Sequence, residues 1–108
     1  MPEIRKTSPD AIGLPELEPP RLAVLNSLGS INSRRAYDYG IRKFVDWYCA
    51  EPRLGLNRGV VAQYRSFLEQ KHYAASTINL RLGAVRRLAS EAADSGPLSP
   101  DLAAGIRR

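Results

Sequence analysis

Apolar residues along the chain recur at the alternating three- and four-residue steps of a helix and almost nowhere at the two-residue step of a strand. The clearest run is Ile78, Leu82, Val85, Ala89 and Ala92, which stack on one face of a helix expected to begin at Ser76. The Ser76 hydroxyl suits an N-cap, and Ser95-Gly96-Pro97 supplies a stop just after Asp94. Tyr37, Ile41, Phe44 and Tyr48, with Val45 alongside, mark a first long helix from Asn32 or Ser33 to about Glu51, where Pro52 ends it. Val60, Val61, Tyr64, Phe67 and Leu68 give a helix from Gly59 to Lys71 the broad apolar face of one wedged between others. Leu22, Leu25 and Leu28 mark a short amphipathic segment before Gly29, and Ser99-Pro100 reads as the opening of a last short helix through Leu102, Ala103 and Ile106. No alternating run exceeds a few residues. The pattern predicts an all-α fold, a compact bundle of four to five helices.

The first 20 residues hold five of the eight prolines, at positions 2, 9, 15, 19 and 20, and each removes an amide donor and restricts its predecessor. Residues 1–19 are therefore expected to be a flexible arm and residues 20–108 a single helical domain. A chain of 108 residues can bury a core without metal or disulfide support. The apolar residues of the last short helix have barely begun to repeat when the sequence stops at Arg108, so the natural polypeptide is expected to continue.

Charge changes the picture more than composition does. The net +5 is uneven: residues 1–19 carry two cations against four carboxylates, a net of −2, which leaves +7 on the remainder. Such a field favours anionic partners, nucleic acid among them. Cys49 is the sole cysteine, which excludes an internal disulfide and points to a reducing cytoplasm. No apolar run approaches the ~18 residues that span a bilayer, and the start lacks a signal-peptide segment, so a soluble protein without a membrane partner is expected.

Candidate chemistry is mostly absent. The sequence offers no nucleophile beside a base, no paired carboxylates and no glycine-rich phosphate loop, so no catalytic residue, cofactor, metal or small-molecule substrate is assigned. His72 has no partner at ligand spacing, and Tyr39 and Tyr73 lack a surrounding cluster of arginine and histidine. The cations are more informative. Arg34 and Arg35 fall in the first turn of a helix, where the dipole disfavours them and a phosphate would gain from both the guanidinium groups and the free amides. On the helix from Ser76, a helical wheel puts Thr77, Arg81 and Ala84 on one flank, Asn79 and Arg86 on the opposite flank, and Arg87 away from the core. Solvated surface arginines would give the same pattern.

The order of these features resembles a known family. Ser33-Arg34-Arg35-Ala36-Tyr37, then Phe44-Val45-Asp46-Trp47-Tyr48, is similar to the start of the core-binding domain of tyrosine recombinases and phage integrases. Val61, Tyr64 and Leu68 resemble its second helix, and Ser76-Thr77-Ile78 followed by Leu82-Gly83-Ala84-Val85-Arg86-Arg87-Leu88 its Thr-Ile helix. The similarity covers about residues 20–106, with Ser99-Pro100 where many members have Asn-Pro. The resemblance implies a SAM-like orthogonal bundle that clamps one side of double-stranded DNA beside other recombinase protomers. It also implies a separate catalytic domain, none of whose residues can be mapped here. By position it carries DNA contact to Ser33, Arg34, Arg35, Ser76, Thr77 and Arg81, to which charge and the wheel add Lys71, Asn79, Arg86 and Arg87. Within that set Thr77, Arg81 and Arg87 are favoured, with Ala84 as a small residue letting the helix approach a groove.

Two other readings stand beside this one. A helical protein-interaction module with no nucleic-acid role would leave the arginines dispensable and show an apolar patch. A helix-turn-helix regulator fits less well, because Lys71 to Ala75 has no typical tight glycine turn.

Overall fold

A helix starts readily where a short polar side chain can accept from the free amides of its first turn, or where a proline has no amide to leave free. In the computed structural model, which describes residues 15–50 and 57–95, a 3-10 turn at Pro15–Leu17 leads into four helices. These are α1 (Glu18–Asn26), α2 (Ile31–Ala50), α3 (Arg58–Gln70) and α4 (Ala75–Ser95). No strand occurs among the described residues, and the all-α bundle is the expected one. The expected arm is shorter at its inner end, because residues 15–19 are helical and Leu17 is buried in the core. The expected helix from Ser99 lies outside the described residues.

Capping differs from expectation by two or three residues at α2 and by two at α4. The Ser30 hydroxyl accepts from the Asn32 and Ser33 amides at 3.1 and 3.3 Å, so Ser30 caps α2 while Asn32 and Ser33 lie within it. Asn57, with extended backbone, caps α3 by accepting from the Val60 amide at 2.9 Å. Ser76 is the second residue of α4 rather than its cap, since the Ala74 carbonyl already accepts from the Ile78 amide at 3.0 Å.

The turn before α4 explains that early start. The His72 amide donates to the Glu69 carbonyl at 3.0 Å and the Tyr73 amide to the Leu68 carbonyl at 3.5 Å, the paired bonds of a Schellman motif. His72 occupies its left-handed position with φ of 63°, where glycine is usual. The segment Lys71–Ala75 does lack the glycine of a typical tight turn, as read from the sequence, but His72 makes a tight turn in its place.

The core is built around α4, on which α1, α2 and α3 each pack. Its Ile78, Leu82, Val85, Leu88, Ala89 and Ala92 are buried, facing Val24 of α1, Ile41, Phe44 and Val45 of α2, and Val61, Tyr64 and Leu68 of α3 within one apolar cluster. Between α2 and α3 the packing is aromatic. Phe44 and Trp47 each have a centroid 5.0 Å from that of Tyr64, and Phe67 lies 6.1 Å from Trp47. Such pairs add about 0.5–1.5 kcal/mol each beyond the area they bury.

Where α2 crosses α4, Gly40 meets Ala84, and both are buried. A small residue was expected at position 84 for approach to a groove; it serves instead for the close approach of α2.

A polar network ties α1 to α2. Arg21, 3 % exposed, donates to Glu18 at 2.7 and 3.2 Å and to Asp38 at 2.6 Å, and Asp38 also accepts from Arg42 at 3.0 Å. Bonding to Glu18 and then Asp38 raises the Arg21 pKa above its ordinary value against the opposing effect of burial. Asp38 and Arg42 thus supply an inter-helix tie rather than a solvated face.

Candidate nucleic-acid interface

The first turns of α2 and α4 contain no acidic residue, so nothing there offsets the partial positive charge of the helix N-termini. The ten sequence-selected residues do not form one face. They separate into two groups along α4.

The first group gathers around the α1–α2 turn. The Arg34 guanidinium donates to the Leu28 carbonyl at 3.2 Å, and that of Arg87 donates to the Ser27 hydroxyl at 2.5 Å. The Arg87 guanidinium also lies 5.9 Å from the centre of the Tyr37 ring. Arg87 is therefore half-buried and tethered, whereas the wheel had it pointing free of the core. Arg86 and Arg87 line a shallow cleft of about 300 Å³ with Tyr37, Gly83 and Ser90. The Arg86 Nε is buried there without a hydrogen-bond partner among the described residues. Arg35 is fully in solvent beside Arg34, and Ser33 is half-buried.

The second group surrounds the start of α4. Ser76 and Asn79 are exposed and Thr77 is half-buried. Lys71, at the end of α3, is exposed with its ammonium 5.5 Å from the centre of the Phe67 ring. Arg81 does share the Thr77 flank, but α2 covers much of that flank, leaving Arg81 only 7 % exposed. Its guanidinium is held between two rings, 5.0 Å from the centre of Tyr39 and 5.1 Å from that of Tyr73. The two tyrosines left without a role by the sequence are thus its cage, and Lys43 lies 5.7 Å over the same Tyr39 ring. The only advance signal was the i, i+4 spacing of Tyr39 and Lys43.

Near this group the Tyr64 hydroxyl is buried. It feels the Arg81 charge but has no hydrogen bond of acceptable geometry. Burial pushes its pKa above the ordinary 10.0, and the charge of Arg81 offsets part of that rise.

Three helices packed on a fourth make a small all-α bundle. The family model described as phage integrase, N-terminal SAM-like domain, matches residues 25–96, from α1 through the end of α4. The chain belongs to that family, the N-terminal domains of the tyrosine recombinases. No curated protein and no solved structure matches it. Among the described residues no helix is long and apolar enough to cross a membrane.

Proposed function

We propose that the chain is the DNA-binding domain of a site-specific tyrosine recombinase or integrase. In this reading it clamps duplex DNA next to other protomers in the cytoplasm, and a separate domain supplies the catalytic residues. The observation that carries the reading is family membership, supported by two groups of cationic and polar side chains, one around the α1–α2 turn and one around the start of α4. Thr77 and Arg87 are ten residues apart on α4, roughly 15 Å at 1.5 Å per residue. That spacing is comparable to the ~12 Å width of a major groove, so the two groups suit phosphates on its opposite margins. Ser33, Arg34, Arg35, Arg86 and Arg87 would serve one margin, and Lys71, Ser76, Thr77 and Asn79 the other. Arg81, held by its tyrosines, presents a fixed rather than a searching cation.

Anisotropy of a labelled duplex titrated with the chain across a salt series tests the reading. Binding that weakens with a log-log slope steeper than about −3 is expected, at −0.9 per phosphate neutralised. Absence of binding at low salt, or binding indifferent to salt, would refute it.

A further inference from the structure

Duplex contact would use Lys71 and Arg81 but gives no role to the aromatic cleft they line. A cavity of about 630 Å³ opens between α2, α3 and the start of α4, and its lining includes Trp47, Tyr64, Phe67, Tyr73 and Arg81. Lys43 and Lys71 stand on its margin with Asp46, so that the described lining, Arg81 included, holds three cations and one carboxylate. Arg81 is the unusual member. A guanidinium carries five donors. Here it is largely withdrawn from water, stacked on two rings, and has no carboxylate partner among the described residues. The ring faces offset part of the cost of burying that charge, and an anion would offset more of it. Tyr64, 1 % exposed, adds beside Arg81 a hydroxyl without a hydrogen-bond partner of good geometry among the described residues.

We propose that this cleft binds a nucleoside 5′-monophosphate group. The phosphate sits on Arg81, Lys43 and Lys71, and the base lies against the aromatic wall. Volume and lining match those of small-ligand sites, which are mostly aromatic with a few polar groups to fix orientation. Stacking on tryptophan, tyrosine and phenylalanine is how proteins hold an unpaired base. A purine offers the larger face to that aromatic wall, so adenine or guanine is favoured over thymine, and Asp46 can accept a hydrogen bond from a base N–H. The group comes either from a free nucleotide or from an unstacked nucleotide of a DNA strand.

Trp47, the only tryptophan, reports from inside the cleft. Its emission, corrected for absorption by the ligand, is followed while the 108-residue chain is titrated with dAMP at constant ionic strength. A saturable change is expected, with deoxyadenosine and inorganic phosphate each at least about tenfold weaker and dTMP weaker than dAMP. Lys43→Gln and Lys71→Gln, both at exposed positions, should each weaken dAMP several-fold while the protein still melts cooperatively within a few degrees of the parent. No saturation by about 10 mM dAMP, phosphate binding as well as dAMP, or unchanged affinity in both variants would each overturn the proposal. A duplex with one extrahelical adenosine, compared with its fully paired counterpart, separates the sources. Preference for the extrahelical base, lost in the two variants, assigns a DNA strand; dAMP binding with equal affinity for both duplexes assigns the free nucleotide. Affinity for the paired duplex tests the DNA-binding reading separately, so either can fail alone.

Discussion

Gly40 and Ala84 face each other across the α2–α4 contact so closely that a β-carbon on Gly40 would stand 3.2 Å from the Ala84 β-carbon. That contact is tighter than ordinary van der Waals packing, and the atom it meets is fixed to backbone rather than the end of a flexible chain. Gly40→Val is expected to lower stability by about 1–3 kcal/mol, through overpacking of two helices that cannot separate without opening the core. Urea unfolding followed by circular dichroism measures it, and an unchanged midpoint would show that α2 and α4 have room to move apart.

Arg21 is the charged residue whose loss should cost most. Arg21→Ala leaves Glu18 and Asp38 facing each other without their shared cation, although both retain some contact with water. The expected loss is about 2–4 kcal/mol, below the upper range for a fully buried pair. A double-mutant cycle with Asp38→Asn should give a coupling energy of about 1 kcal/mol or more. Additive single effects would mean that the α1–α2 tie contributes only through packing of the Arg21 stem.

At position 72 the backbone itself makes the prediction. A residue with a β-carbon at φ of 63° is strained, so His72→Gly should stabilise the fold by roughly 0.5–1 kcal/mol after glycine's greater unfolded-state entropy is counted. His72→Val should destabilise it, because a branched β-carbon fits the left-handed region worst. A melting series ordered Gly, His, Val from most to least stable is the result to look for.

Tyr64 gives the fold an alkaline limit. Burial favours the neutral phenol, so its folded pKa lies above the unfolded value near 10.0. Its contribution is whole below the unfolded pKa and is lost as pH rises from there through the folded pKa, while the unfolded chain ionises first. Tyr64→Phe removes an unpartnered hydroxyl and should be neutral or stabilising by up to about 1 kcal/mol at pH 7. Its melting temperature should then fall less steeply than that of the parent above about pH 10. Parallel curves for the two proteins would show that the phenol is not held neutral.

Arg35 and Arg81 should behave differently towards DNA. Arg35→Ala removes a free, exposed cation and should reduce the magnitude of the salt slope by about one without affecting stability. Arg81→Ala should weaken binding and also lower the melting temperature, since it empties the space between Tyr39 and Tyr73. Equal effects of the two on stability would argue against the caged arrangement.

These outcomes depend on features of unequal visibility in the sequence. The apolar stripes of α2, α3 and α4 were legible because burial imposes a helical period directly on residue type, as Ile41, Leu68 and Val85 show. The exact start of α2 was not, because Ser30, Asn32 and Ser33 are all competent caps and only geometry selects one. A helical wheel placed Arg81 and Ala84 on a common flank correctly, but a wheel carries no information about which neighbour covers that flank. Arg21 was missed for a related reason: its burial depends on Asp38, 17 residues further on, and no local pattern encodes that distance. The tyrosine cage likewise needs residues from α2, the α3–α4 turn and α4 to converge.

The central position of α4 has a consequence for how the chain reaches this structure. Of the four helices it is the last to leave the ribosome, yet it is the surface on which α1, α2 and α3 all pack. Until it emerges, Val24, Ile41 and Leu68 lack the partners that complete their burial, and sequence-distant contacts such as that of Arg87 with Ser27 cannot form. Closure of the bundle is therefore a late event during synthesis, and a nascent chain stalled before α4 exposes the apolar faces that chaperones recognise.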